Sequence, residues 1–340
     1  MTFGTSKNYL GIIGLLVMIT ALACEEKQDA VQADPPISKA AIITSGNGVN
    51  EQVAYTDPID KSIAPIANFD WKYDLASTDH SCNMPASLVE ISALGFIDDE
   101  TMIAVNDEKA DLFFLDRNSC KVSDQVDFGK KGDYEGVEYV DGIVYVLKAN
   151  GNVYPYDIQS KSALETIKSA LKTVNDVEGL GYDPDSHMLV MACKGSSDLI
   201  DYSKKKTRKA FYGLDLEKKT LIEDPLWIIE DSQLFDFYEY YQKDDNQSQK
   251  SIKKALSRLK SFSPSGIAKH PIDNSFYILS SVGKLLVVCT GHGVIQHIEF
   301  LDESMFIQPE GIAFTSDGSM FISNEGKSFI GKIQGFDYKE

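Results

Sequence analysis

Three glutamates open the same short phrase: Glu135-Gly136-Val137, Glu178-Gly179-Leu180 and Glu310-Gly311-Ile312. The phrase recurs with serine in front at Ser92-Ala93-Leu94 and Ser265-Gly266-Ile267, and the intervals between the five opening residues are 43, 43, 87 and 45. Openers spaced this evenly occupy equivalent points of a repeated fold, so three carboxylates are expected to converge. Carboxylates roughly 6 Å apart repel by about 3 kcal/mol per pair at an effective dielectric of about 20, so positive charge belongs among them. A hard divalent cation is one source, with oxygens of Glu135, Glu178 and Glu310 as ligands and the amides of Asn106 and Asn324 as further donors. The ammonium groups of Lys148 and Lys194, at matching positions of the second and third copies, are another. In a third reading each glutamate only anchors its strand, accepting backbone N–H groups of the neighbouring repeat. Ser92 and Ser265 are polar contacts for any ligand held there, whereas Asp107 and Glu325 read as solvated loop charges.

No catalytic residue is assigned. His80, His187, His270, His292 and His297 fall away from the glutamates, which argues against a Ser-His-Asp arrangement or a histidine-rich metal centre. A glycine-rich phosphate loop and a Cys-x-x-Cys pair are both missing from the sequence. Cys82 and Cys120 sit in polar, loop-like sequence where an exported protein permits a disulfide, while Cys193 and Cys289 lie among strand residues as buried thiols.

The elements that must position these residues follow from what comes after each opener. Turn chemistry arrives within a few residues, at Asp98-Asp99, Asp141-Gly142, Asp183-Pro184-Asp185, Asp273-Asn274 and Asp317-Gly318, and a second apolar strand follows each turn. A period near 43 with several short strands per unit predicts an all-β, five-bladed β-propeller. The long interval holds the outer strands of the third blade, Ala210 to Leu216 and Leu221 to Ile229, and then a helical insertion over 231–262, where Ile252, Leu256 and Leu259 keep helical spacing. The last blade runs out after three strands near Tyr338. The alternating segment Phe69 to Leu75 is expected to supply the fourth, closing the ring and removing its open edges.

Antiparallel strands put the start of each blade's first strand and the end of its second on one rim. The five openers therefore share a mouth with Asn106, Lys148, Lys194, Ser281 and Asn324. The loop from Gly195 to Thr207, carrying Lys204-Lys205-Lys206, and the helical insertion are expected at the same mouth, and a basic loop over an acidic channel suits a small anionic ligand.

Together, Glu90-Ile91-Ser92-Ala93-Leu94, Gly132-Asp133-Tyr134-Glu135-Gly136, Asp176-Val177-Glu178-Gly179 and Gln308-Pro309-Glu310-Gly311-Ile312 resemble the SdiA-regulated, YjiK-like family of bacterial propeller proteins. The resemblance runs from roughly Phe69 to Lys339. It implies a five-bladed propeller, a lipoprotein, a bound calcium ion and distant kinship to NHL-repeat propellers, and it brings no secure activity. Two functions follow as expectations. The first is a membrane-anchored, calcium-holding binding or scaffold module at the cell envelope, with a small anionic ligand or an envelope protein as partner. The second is a metal-dependent hydrolase of the phosphoesterase or lactonase type, which needs a carboxylate base because no histidine reaches the mouth.

Lys plus Arg number 33 against 51 Asp plus Glu, a formal charge of -18 that excludes nucleic acid as a natural partner. The first 23 residues form a signal peptide, with Lys7 as the only charged side chain before an apolar run from Tyr9 to Ala23 too short to span a membrane. Ala21-Leu22-Ala23-Cys24 looks like a bacterial lipobox, with cleavage before Cys24 and lipid on its thiol. Glu25 and Glu26 resemble the surface-export signal of Bacteroidetes lipoproteins, which favours the outer membrane over the inner. Residues 24–68 are polar with a single aromatic, Tyr55, and read as a flexible tether.

Overall fold

The computed structural model describes residues 69–201, 207–326 and 329–339. The signal peptide, Cys24, the tether and Lys204-Lys205-Lys206 lie outside the described residues. A short strand, β1 (His80–Asn83), precedes the first blade, which comprises β2 (Ile91–Asp98), β3 (Thr101–Asn106), β4 (Asp111–Asp116) and β5 (Val122–Asp127). Blade two is β6 (Tyr134–Val140), β7 (Ile143–Lys148), β8 (Val153–Asp157) and β9 (Ser162–Ala163). Blade three is β10 (Val177–Asp183), β11 (Met188–Cys193) and β12 (Arg208–Asp215), with its outer edge divided between β13 (Thr220–Leu221) and β14 (Trp227–Glu230). Blade four is β15 (Gly266–Lys269), β16 (Phe276–Ser280), β17 (Leu285–Cys289) and β18 (Ile295–Phe300). β19 (Pro309–Phe314), β20 (Met320–Asn324) and β21 (Lys332–Phe336) begin blade five, and β1 completes it.

These five antiparallel sheets are a five-bladed β-propeller, with the innermost strands β2, β6, β10, β15 and β19 neighbours in a closed ring. A ring of only five brings the innermost strands close together, which explains the small residue after each opener. A Cβ on Gly266 would lie 2.4 Å from the Glu310 carbonyl oxygen, and one on Gly136 would lie 2.6 Å from the Leu180 Cβ. The hairpin turns are of matching economy: Asp141 and Gly142 take φ of 50° and 89°, the left-handed pair that a two-residue turn between twisted strands requires.

The core lies between blades, one apolar cluster to each seam. Val137, Val144 and Val146 of blade two meet Ile103 and Leu112 of blade one, and Phe211 and Trp227 of blade three meet Phe276 and Val287 of blade four. Side chains of this size contribute about 1.5–3 kcal/mol each on full burial, so every blade depends on both neighbours.

The helical insertion follows β14 as predicted. Helix α1 (Asp231–Phe237) runs on through a wider turn at Tyr238–Gln242, and α2 (Gln249–Lys260) starts at Ser248, whose Oγ accepts the Ser251 N–H. Leu234, Tyr238 and Leu259 are buried in the seam of blades three and four. Arg258 fixes α2 to blade four by donating to the carbonyls of Gly283, Lys284 and Leu301, with its guanidinium over the Phe300 ring.

An N-terminal strand closes the ring, but it is not the expected one. β1 pairs with β21 in the register His80 to Gly335 and Cys82 to Ile333, whereas residues 69–75 form no strand. The alternation of Phe69, Trp71, Tyr73 and Leu75 has another cause: these side chains make an aromatic clasp across the edges of blades four and five. Trp71 stacks on His297 with centroids 4.5 Å apart, and Tyr73 is buried against Tyr277 and Tyr338. His270 Nδ1 accepts the backbone N–H groups of Ile272 and Asp273, which places its proton on Nε2. Nε2 then donates to the Tyr73 hydroxyl at 2.7 Å, and that hydroxyl donates to the Gly318 carbonyl at 2.6 Å. Burial holds His270 below the usual histidine range, in keeping with this neutral role.

Candidate functional site

The geometry of the channel mouth begins with a slip in register. In blade two Tyr134 pairs with Lys148 but Gly136 pairs with Leu147, leaving Glu135 unpaired between them. Blade three leaves Glu178 between Val177 and Gly179 in the same way, and blade one leaves Ser92 between Ile91 and Ala93. In blade five the slip falls between Pro309 and Ile312 and takes in Glu310. A bulge frees a residue from the ladder and re-aims its side chain, so four of the five openers are held at strand starts by the same device.

The two serines spend their hydroxyls on the scaffold. Ser92 Oγ donates to the Tyr134 carbonyl of the next blade at 2.6 Å, and Ser265 Oγ donates to the Pro309 carbonyl at 2.9 Å while accepting the Ser281 N–H. Each ties one blade to the next.

The glutamates remain strained electrically. Burial, then the charge of Glu178 and a hydrogen bond with Asp133, push the Glu135 carboxyl up to about 10. Burial and Glu178 push Glu310 up to about 8, against a relieving hydrogen bond from Ser281. Glu178 is raised by burial to about 7 even though it is ion-paired with Lys194. Burial disfavours the charge on Lys194, but the attraction of Glu178 and their hydrogen bond outweigh it and raise the ammonium above its ordinary value. Lys194 therefore offsets one carboxylate of the three. The Lys148 ammonium lies 5.6 Å from the centre of the Tyr134 ring, and among the described residues it makes no ion pair with the three glutamates.

Asn106 and Asn324 differ in what they offer. Asn106 Oδ1 accepts the Glu108 N–H in a local turn. Asn324 is buried and donates to Gln334 at 2.8 Å, leaving its Oδ1 without a hydrogen-bond partner, and Asp107 Oδ1 is likewise buried and unmatched. Burial, followed by Glu90, Glu325 and Glu108, lifts Asp107 to about 6, so it is no ordinary solvated loop charge. Between blades three, four and five a cavity of about 260 Å³ is lined by Glu178, Glu310, Lys194, Ser265, Ser281 and Gln308. Sequence reasoning passed over Asp133 and Asp176, although both stand two residues before a glutamate opener and both raise the acidity problem there.

All five histidines lie toward the opposite rim: His187 and His270 in first-hairpin turns, His80 at the start of β1, and His292 and His297 in the outer hairpin of blade four. Cys82 and Cys120 form a disulfide with Cα atoms 5.5 Å apart, and Cys193 and Cys289 are buried free thiols. Among the described residues, His80, Cys82 and Cys120 are the only three such side chains with ligand atoms within 4.8 Å of one another, and the disulfide takes up two of them. The mouth glutamates are therefore not drawn into a tight three-carboxylate cage.

No family model matches the chain, and no curated protein matches it. Solved structures do. Over 73% of its length the chain is similar to 80% of the RRP9 WD40 repeats, at 10% identity and a TM-score of 0.43. It is similar over 76% of its length to 98% of the PQQ-bound aldose sugar dehydrogenase of Streptomyces coelicolor, at 10% identity and 0.43. A protein of unknown function from Bacteroides thetaiotaomicron matches at 15% identity and 0.41, covering 73% of this chain and 56% of that one.

Proposed function

We propose that this chain is a lipid-anchored propeller of the bacterial cell envelope whose acidic mouth holds a hard divalent cation, calcium, and which acts there as a binding module. The observation that carries the reading is the convergence of Glu135, Glu178 and Glu310 on one mouth, each raised by burial, with Lys194 the one ammonium paired to them among the described residues. The donor set is all oxygen, as calcium requires, and the unmatched Asn324 Oδ1 adds a neutral donor on the same rim. The spread of the carboxylates fits an ion that keeps part of its water, for which the adjoining cavity has room. Glu135, Glu178 and Glu310 would hold the ion, and the ion would supply a fixed positive charge for an anionic ligand.

A partner protein is supported by the same rim. Ile200, Phe329, Val282, Ile330, Ile307 and Val174 are large apolar side chains on loops of this mouth, and the first three are 88%, 76% and 63% exposed. Apolar groups so placed around a polar channel suit a docking surface. Hydrolysis there would fall to one of the mouth carboxylates as base, since all five histidines lie toward the opposite rim.

The test is metal analysis of the purified protein followed by thermal melting with calcium and with chelator. Chelation is expected to lower Tm by several degrees, because a ligand bound only by the folded state stabilises it. The triple variant Glu135→Gln, Glu178→Gln, Glu310→Gln should show no response. Indifference of the wild type to both additions overturns the cation. Loss of stability on Lys148→Met with Lys194→Met, without any calcium response in the wild type, would assign the neutralising role to the lysines.

A further inference from the structure

The opposite end of the channel has its own site. A cavity of about 330 Å³ opens there, lined by residues from every blade, among them Phe96, Glu138, Tyr182, Lys269 and Phe314. Glu138 stands in its innermost strand where the other four blades have Gly95, Gly181, Ala268 and Ala313. One carboxyl group thus enters a space that the other blades leave open. The Glu138 carboxyl group reaches toward the next blade, where the backbone N–H of Tyr182, together with that of Tyr139, partly offsets the effect of burial on its charge.

We propose that this far mouth binds a small organic ammonium ion, with Glu138 as its counter-charge and the aromatic side chains of Phe96, Tyr182 and Phe314 around its apolar body. Three observations select the cation. Half-buried aromatic walls beside a single carboxyl group suit an alkylammonium and supply too few oxygens for a bare metal ion. The one ammonium lining the cavity, Lys269, is already matched twice, at 2.5 Å from both Asp183 and Asp185. Finally, the first-hairpin turns of all five blades carry aspartate at this rim, at Asp98, Asp141, Asp183, Asp273 and Asp317, so an anion would be repelled.

The titratable groups that line the cavity with Glu138 are Tyr182, Lys269, which is held by its two aspartates, and the neutral His270. Burial lifts Glu138 to about 8, which favours its protonated form at neutral pH. Entry of a cation should release that proton to solvent as the carboxylate forms.

The experiment is calorimetric titration of the purified chain with butylammonium, butanol and butyrate at neutral pH, in two buffers of different ionisation enthalpy. Saturable binding of one butylammonium is expected, at least tenfold tighter than butanol, with no heat from butyrate and with proton release seen as a difference between buffers. Glu138→Gln should weaken butylammonium binding tenfold or more, and Tyr182→Leu, which keeps the backbone donor to Glu138, severalfold. Glu310→Gln, at the other mouth, should leave it unchanged, so failure of the calcium reading and failure of this one are distinguishable. The proposal is overturned if butylammonium does not bind, if butyrate binds as well, or if binding survives both Glu138→Gln and Tyr182→Leu.

Discussion

At the scale of residues, the mouth glutamates couple stability to pH. Their folded-state values lie above the ordinary 4.5, at about 7 for Glu178 and about 8 for Glu310, so the fold prefers the protonated acids. That stabilisation is complete below about pH 4.5 and is lost as pH rises through these values. Metal-free protein should therefore melt higher at pH 5.5 than at pH 8 as far as these groups govern it, and the triple glutamine variant should flatten the difference. Calcium should restore Tm at pH 8 while changing little at pH 5.5, a crossed pattern that differential scanning calorimetry reads directly. Tyr73 makes a second residue-scale prediction. Tyr73→Phe removes both the acceptor of His270 and the donor to Gly318, and should cost about 1–2 kcal/mol in denaturant unfolding. A loss below a few tenths would show that water replaces the hydroxyl there.

Elements show how far the sequence could be read. The period, the hairpin turns and the helical insertion were legible because each writes a local pattern: alternation, Asp-Gly, and apolar residues three and four apart. The closing strand was not. In β1 only Cys82 turns inward, among His80, Ser81 and Asn83, so it lacks an apolar face, while the clasp at Phe69 to Leu75 imitates a strand by burying every second side chain. The openers were legible as a set through their spacing, but the bulges that aim them were not, because register belongs to a pair of strands and is written in neither alone. The corrected closure predicts a graded series. A chain beginning at Asp79 keeps β1 but loses the clasp, and should stay soluble with a lowered Tm; one beginning at Glu90 loses β1 as well and should aggregate through the bare edge of β21. Equal behaviour of the two would mean that β1 contributes nothing to closure. The insertion can be tested separately: Arg258→Met gives up bonds to three carbonyls. Faster amide exchange in α2, with exchange in blades one and two unchanged, is the expected signature.

For the whole molecule, the two ends of the channel carry different chemistry on one scaffold: oxygen donors and a paired lysine at one mouth, aromatic walls and a lone carboxyl group at the other. If lipid on Cys24 is the sole anchor, Cys24→Ser should yield soluble, unprocessed protein, which fractionation and mass measurement would show; unchanged membrane retention would refute the lipobox. The Cys82–Cys120 disulfide has a further consequence for how the ring is assembled. In chain order β1 precedes every blade, yet its partner β21 is the last strand of all. Until blade five forms, β1 has no sheet to join. The cystine spans a separation of only 38 residues and ties β1 to the outer hairpin of blade one, the blade beside which blade five must finally form. Once that cystine has formed, the first strand is moored at its destination, and the longest loop closure in the fold becomes a docking of β21 into a berth already in place.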